Sequence, residues 1–303
     1  PRDPLPLRRA LDEVARDLDM SLDVELGTGD NRPRPRGRSH VTVLGTPLTS
    51  TAMAAITGRI ADTGANIDRI ERMARYPVTA IDLHVSGSEP EKLRGILARE
   101  AAEQSVDIAV QDANLLRRGM RLIVLDVDST LIQGEVIEML AAHAGCAAQV
   151  AEVTAQAMRG EIDFTESLLA RVALLKGLPA SVLDEVYDDL QLAPGARTMV
   201  RTLRRLGYRF AIVSGGFAQL TERLAPDQGI HYSAANELEI VDGKLTGKVV
   251  GEVVDGAGKA AALRRFAAAL GLPEAATIAI GDGANDLDML NAAGLGIAFN
   301  AKP

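Results

Sequence analysis

RLIVLDVDSTL, residues Arg121–Leu131, joins a short apolar run to two aspartates two positions apart, followed by Ser129 and Thr130. An apolar run without alternation reads as a strand buried on both faces of a parallel sheet. Acid chemistry at the carboxyl end of such a strand is where open α/β sheets place their sites. In extended chain, residues two apart point the same way, so Asp126 and Asp128 share one cleft and can divide the work of a nucleophile and a proton donor. Neighbouring carboxylates repel each other unless a cation or a shared proton offsets the charge. A magnesium ion is therefore implied. Taken alone, the pair fits a strand and a plain acidic turn equally well, and the rest of the chain has to separate these readings.

Downstream, from about Gly134 to Ala193, strand-like alternation disappears. The stretches EVIEMLAAHAG, AQVAEVTAQAMRG, FTESLLARVALLKG and SVLDEVYDDL, separated by glycines and a proline, predict four short helices inserted after the first strand as a lid. The α/β rhythm then resumes with helix Ala196–Leu206, strand Tyr208–Val213 and helix Phe217–Leu224. NELEIVDGKLTGKVV reads as a hairpin turning at Asp242-Gly243. Helix Lys259–Leu270, strand Thr277–Ile280, helix Asn285–Ala293 and strand Gly296–Phe299 complete the pattern.

Three further segments carry chemistry, each at the end of an expected strand or the start of a helix. Ser214-Gly215-Gly216 follows a strand and precedes a helix, so a hydroxyl and backbone N–H groups can approach an anion at a helix N-terminus. Lys259 opens the next helix after the loop DGAGK and can neutralise phosphate charge. GDGANDLDML places Asp282, Asn285 and Asp286 around a glycine-rich turn. Acidic groups beside a phosphate site make electrostatic sense only around a cation.

Ahead of the organising strand, Pro4–Leu18 has helical periodicity and Ser21–Leu26 alternates as a strand, before GTGDNRPRPRGR breaks all periodicity as a linker. From Ser39 the chain reads strand HVTVLG, helix Thr49–Thr63, strand NIDRIERMARY, strand VTAIDLHVSG, helix Glu89–Gln104 and strand VDIAVQD. This βαββαβ order suits an antiparallel sheet with two helices on one face, a ferredoxin-like module. LLRRGM, Leu115–Met120, is a short hinge into the second domain.

Composition narrows the function classes. With 303 residues, 47% hydrophobic and 24% charged, the chain is long enough for two domains and is not of disordered type. A formal charge of −8, no Trp and 3% aromatic residues argue against broad nucleic-acid binding and base-stacking platforms. No long apolar run predicts a membrane span. The single cysteine, Cys146, lies among alanines, excludes an internal disulfide and fits core packing in a reducing cytoplasm.

Taken in order, DVDSTL, SGG, Lys259 and GDGAND resemble the haloacid dehalogenase superfamily of phosphatases, and the likeness extends from Arg121 to the end, including the helical insertion used there as a cap. The match is closer still to the phosphoserine phosphatases of that superfamily, with Glu135 soon after DVDST and Arg171 within GEIDFTESLLARVALLKGLP. No motif position departs from the pattern. The βαββαβ module resembles an ACT domain, whose amino-acid ligand would meet GTPLTS, Gly64 and Asn66, or whose residues there are simply turns and caps. The leading αβ pair resembles the last third of another such module, which implies that a first ACT domain precedes residue 1.

The resemblance implies an α/β fold: a doubly wound, Rossmann-like parallel sheet with a helical cap at about 134–193, preceded by the ferredoxin-like ACT module. The expected divisions are 1–36 for the partial αβ segment and linker, 37–117 for the regulatory module and 118–303 for the phosphatase. It also implies that Asp126 becomes a transient aspartyl phosphate and that Asp128 serves as acid, then base. Mg2+ would be held by the Asp126 carboxylate, the Asp128 main-chain carbonyl and Asp282, with Asp286 orienting the water around it. Ser214, Gly215 and Lys259 would bind the phosphoryl oxygens, with Asn285 as a further contact near phosphate and cap. Glu135 would pair with the ammonium of O-phospho-L-serine and Arg171 with its carboxylate, while Met158 and Phe164 would form an apolar wall of the closed cap or simply pack in the core. Partners would be an amino-acid effector and further copies of the chain through the ACT module. Homoserine phosphate, phosphothreonine or a phosphoprotein as substrate, or an amino-acid sensor with vestigial catalysis, remain the alternatives.

Overall fold

A computed structural model describes residues 37–113 and 121–301, together with Glu13, Ala15 and Arg16, which are helical. The rest of the leading αβ pair, the linker before residue 37 and the Leu115–Met120 hinge lie outside the described residues. The chain divides into two compact units, Pro1–Asp112 and Ala113–Pro303.

The first unit contains β1 (Arg38–Gly45), α1 (Ser50–Asp62), β2 (Asn66–Ala74), β3 (Thr79–Ser86), α2 (Pro90–Gln104) and β4 (Asp107–Asp112). Its sheet has the order β2-β3-β1-β4, antiparallel at every pairing. The Thr49 hydroxyl accepts the Ala52 N–H at 3.1 Å, so a side chain satisfies one of the orphan donors where α1 begins. Alternation sorts the strands' two faces. Val41 and Val43 of β1 and Leu83 and Val85 of β3 pack with Ile56, Ile60, Leu93 and Leu97 of the helices. His40, Thr42, Asp82 and His84 take the intervening positions, on the face away from α1 and α2.

In the second unit, β5 (Leu122–Leu125) is followed by the insertion α3 (Val136–His143), α4 (Ala147–Met158), α5 (Phe164–Ala173) and α6 (Val182–Asp189). The core resumes with α7 (Ala196–Arg205), β6 (Arg209–Phe217), α8 (Ala218–Gln228), β7 (Tyr232–Val241) and β8 (Lys244–Val250). It ends with α9 (Gly256–Ala269), β9 (Thr277–Gly281), α10 (Leu287–Ala292) and β10 (Leu295–Ala298). The strand order is β10-β9-β5-β6-β7-β8, parallel except for the β7–β8 hairpin. Asp242 and Gly243 both adopt positive φ, 50° and 70°, the backbone that a two-residue turn between right-twisted strands requires.

β5 explains why the sheet is doubly covered. Ile123 and Leu125 pack with Phe210, Ile212 and Leu220 on one face, while Leu122 and Val124 pack with Leu263, Phe266 and Met289 on the other. A strand buried on both sides cannot alternate, so its apolar run follows from its central position. Cys146 is buried in the first of these clusters, as core packing predicts. The crossings into and out of the cap pair with each other: Gln133 N donates to Gln191 O at 2.8 Å and Ala193 N to Leu131 O at 2.9 Å. The cap is also tied to the hairpin, where Gly177 N donates to Leu245 O at 2.8 Å and Leu245 N to Leu178 O at 2.9 Å.

Two local expectations differ from the structure. β6 runs on through Ser214, Gly215 and Gly216 to Phe217, and α8 begins only at Ala218, so SGG is extended chain rather than a helix N-terminus. The Ser214 hydroxyl takes up the Gly216 N–H at 2.7 Å, which favours this extended path over an early turn. Helix α9 starts before Lys259, at Gly256, because Asp255 caps it by accepting the Gly258 N–H at 2.8 Å.

Candidate active site

The carboxyl ends of β9, β5 and β6 are neighbours in the sheet, and each delivers one expected segment. Asp126 follows β5 directly, and its N–H donates to Ile280 O at 2.8 Å, which carries the pairing with β9 through this residue. The carboxylate is buried at this end of the sheet. Beyond it the chain makes a wide turn closed by Ile132 N donating to Val127 O at 3.0 Å, with Ser129 at φ 55°. This turn places Asp128 beneath the cap. Asp128 Oδ1 accepts the Val136 N–H of the first cap helix at 2.8 Å, and Oδ2 accepts the Ser214 hydroxyl at 3.1 Å.

Space as well as bonding selects the glycines. A Cβ on Gly216 would lie 2.9 Å from Asp128 Oδ2, and one on Gly215 would lie 2.8 Å from Phe164 Cζ. Phe164 is the first residue of α5, whose start is set by a reciprocal cap: Glu166 N donates to Asp163 Oδ1 at 2.8 Å and Asp163 N to Glu166 Oε2 at 3.1 Å. Arg171 lies two turns further along the same helix face. It is buried, and its Nε donates to Ser167 O at 3.2 Å. Burial lowers its pKa, while the negative charges of Glu135, Asp128 and Glu138 oppose that shift. Glu135 precedes α3 and is half-buried. Met158, at the end of α4, is 71% exposed.

Lys259 is 0% exposed, and its ammonium lies 2.8 Å from Asp126 Oδ1 and 2.7 Å from Asp286 Oδ1. Burial works to lower its pKa, but the two carboxylates outweigh it and the net shift is upward. Asp126 moves the other way from an ordinary carboxylate: burial first, then the charges of Asp286 and Asp128, raise it to about 7 against the pull of Lys259. Burial likewise raises Asp128, with the Val136 N–H opposing and Glu135 assisting. Asp282 is half-buried and accepts the Thr130 hydroxyl at 3.2 Å, while Asp286 is buried and its Oδ2 accepts the Gly283 N–H at 3.0 Å.

Carboxylate oxygens of Asp126, Asp282 and Asp286 all lie within 4.8 Å of one another. Three acids against the single Lys259 ammonium leave excess negative charge once ionised, and an all-oxygen donor set of this kind suits a hard divalent cation. Asp286, expected only to orient water, belongs to the same close group of oxygens as the other two. Asn285 is half-buried beside the acids, with its Oδ1 folded over Gly283 where a Cβ would sit.

Two residues to which the sequence assigns no role belong to the site's frame. Thr130 holds Asp282 from the first motif. Asn236, buried in β7, donates to Gly215 O at 2.8 Å and accepts the Val254 N–H at 2.7 Å, joining the SGG strand to the loop before α9. An asparagine within a strand is disfavoured by propensity, and that mismatch is its only signal in the sequence.

Residues 123–291 match the haloacid dehalogenase-like hydrolase family, and residues 38–111 match the ACT domain. The phosphoserine phosphatase of Streptomyces coelicolor is 63% identical over 297 residues, which are 98% of this chain and 72% of that protein. Among solved structures, a haloacid dehalogenase family hydrolase from Salmonella enterica serovar Typhi superposes with a TM-score of 0.74 at 30% identity, covering 88% of this chain and 90% of that one. A phospho-aspartyl intermediate analogue of a phosphoserine phosphatase superposes with a TM-score of 0.58 at 41% identity, covering 61% of this chain and 88% of that one. The chain therefore belongs to the haloacid dehalogenase-like hydrolases and, within them, to the phosphoserine phosphatases that carry an ACT domain.

Proposed function

We propose that the protein hydrolyses O-phospho-L-serine to L-serine and phosphate, the last step of serine biosynthesis, through an aspartyl phosphate on Asp126. The observation that carries this reading is the joining of Asp128 to both halves of the site: to the cap through Val136 and to the phosphate-binding segment through Ser214. A group so placed can meet the oxygen between the phosphorus and the amino acid.

In the proposed mechanism the Asp126 carboxylate attacks phosphorus in line, and the bond from phosphorus to the serine oxygen breaks. Asp128, its pKa raised by burial, gives its proton to the departing oxygen. It then takes a proton from the water that attacks the phosphorus of the aspartyl phosphate, which returns Asp126 to its starting form. Lys259 and the Gly215 N–H stabilise charge on the transferred group, and the Ser214 hydroxyl joins them on turning away from Asp128. Mg2+, held by Asp126, Asp282 and the Asp128 main-chain carbonyl with Asp286 beside them, would supply further positive charge against the phosphoryl oxygens. Asn285, half-buried in the same turn as Asp286, is the proposed further contact.

Glu135 and Arg171 are the proposed readers of the amino acid, one for its ammonium and one for its carboxylate. The negative charges of Glu135 and Asp128 reach the buried Arg171 guanidinium, which supports this placement. In the ACT module, the exposed Ile70 and Met73 on edge strand β2 support pairing with a second copy, alongside an amino-acid effector. Among the described residues no helix is long and apolar enough to cross a membrane, and the lone, buried Cys146 favours a reducing, cytoplasmic setting.

A panel of O-phospho-L-serine, O-phosphothreonine, homoserine phosphate and a phosphopeptide tests the substrate assignment. Preference for phosphoserine by at least about tenfold in kcat/KM supports it, since an added methyl group in a closed pocket is worth roughly that much. Equal or better turnover of another member transfers the assignment to that ester.

A further inference from the structure

A second cluster of metal-ligating side chains lies in the ACT unit. His40 of β1 and His84 of β3 are direct partners in the antiparallel register, and Asp82 stands two residues from His84 on the same face, opposite Thr42. The imidazole centroids are 4.3 Å apart with ring planes at 60°. Asp82 Oδ2 lies 2.8 Å from His40 Nδ1 and 3.6 Å from His84 Nε2. The ligand-bearing atoms of all three residues fall within 4.8 Å of one another.

We propose that His40, Asp82 and His84 form a binding site for a transition-metal dication of the zinc class. Such an ion sits about 2.0–2.2 Å from imidazole nitrogen and carboxylate oxygen, so tetrahedral donors are about 3.3 Å apart. The two separations from Asp82 Oδ2, 2.8 and 3.6 Å, bracket that value. Two imidazoles with one carboxylate suit zinc-like ions better than magnesium, which separates this site chemically from the all-carboxylate cluster around Asp126. Thr42 donates its hydroxyl to Asp82 Oδ1 at 3.0 Å, so the carboxylate is held from behind with its other oxygen turned to the two imidazoles. Asp82 is buried while the His84 side chain keeps 29% exposure, so the site has a fixed floor and an entry from solvent. Binding through His40 Nδ1 requires the tautomer with its proton on Nε2, and binding through His84 Nε2 requires its proton on Nδ1.

The chain has 4 histidines, so imidazole NMR resolves the question residue by residue. Zn2+ is titrated into the full chain with magnesium in excess, which keeps the Asp126 cluster occupied by the harder ion. The His40 and His84 ring signals shift with about one equivalent of zinc, and His143 and His231 stay in place. Thr42→Val weakens binding by roughly 10–100-fold, and His84→Gln weakens it by more, with the melting transition of each metal-free variant showing that it remains folded. Equal movement of all four histidines, no movement of His40 and His84, or unchanged zinc affinity in folded His84→Gln overturns the proposal.

Discussion

The ammonium of Lys259 lies 2.8 Å from Asp126, the residue that follows strand β5, and 133 positions of sequence separate the two. The same ammonium reaches Asp286 at 2.7 Å, so one buried cation offsets charge from both ends of the site. Replacing it by Lys259→Met leaves two buried acids without their counter-ion. A broken buried pair costs on the order of 3–5 kcal/mol, and loss of one donor to a developing oxyanion costs about 10²–10³ in kcat. Metal-free Lys259→Met should melt below the unmodified protein and regain stability as pH falls and Asp126, already raised by burial, takes up its proton. Unchanged melting with full activity would mean that the ion pair is incidental to both folding and catalysis.

Arg171 offers a test of substrate reading that leaves the phosphoryl chemistry alone. Arg171→Ala is expected to lower kcat/KM for O-phospho-L-serine by roughly two to four powers of ten, because the buried substrate carboxylate loses its partner. O-Phosphoethanolamine, which has no carboxylate, should be turned over about equally by both proteins. Parallel losses on the two substrates would make Arg171 a structural residue of the cap.

The raised pKa of Asp126 links metal binding to pH. A carboxyl with a pKa of about 7 keeps its proton below that pH in the metal-free protein, so a divalent cation must expel it. Magnesium affinity should therefore fall as pH drops below about 7 and level off above it. Calorimetric titrations near pH 6 in buffers of different ionisation enthalpy should show proton release, and pH-independent affinity with no release would contradict the shift. The sign for stability is opposite to that of an ordinary salt-bridged aspartate. Between the unfolded value of 3.8 and about 7 the folded chain holds a proton that the unfolded chain has lost, so Asp126 makes the metal-free fold less stable as pH rises through that window.

What could be read from the sequence was local or motif-borne. The unbroken apolar run of Leu122–Leu125, the Thr49 cap and the Asp242-Gly243 turn each carry their structural reason within a few residues, and each stands where expected. Asp126, Asp128 and Asp282 were nameable because strand ends in an α/β sheet converge on one edge, and Lys259 through its place in the family pattern. Full burial of Lys259 was not legible, since it depends on two acids distant in sequence. The extended course of Ser214–Gly216 depends on a hydroxyl turned onto its own chain, which glycine content alone does not reveal. Asn236 braces residues from two other segments, and His40 meets Asp82 only after the strands register. Apart from the Ser214 contact on its own chain, long-range partnership accounts for each of these.

Whether Asp126 carries the phosphoryl group during turnover is open to direct measurement. Phosphate-labelled O-phospho-L-serine is mixed with the enzyme and magnesium, acid-quenched early, and the label is mapped by peptide mass spectrometry. A nucleophilic Asp126 predicts label on the peptide that contains it, loss of that label into phosphate on a chase with unlabelled substrate, and neither label nor turnover in folded Asp126→Asn. Label on another residue, or turnover that survives in Asp126→Asn, would contradict it.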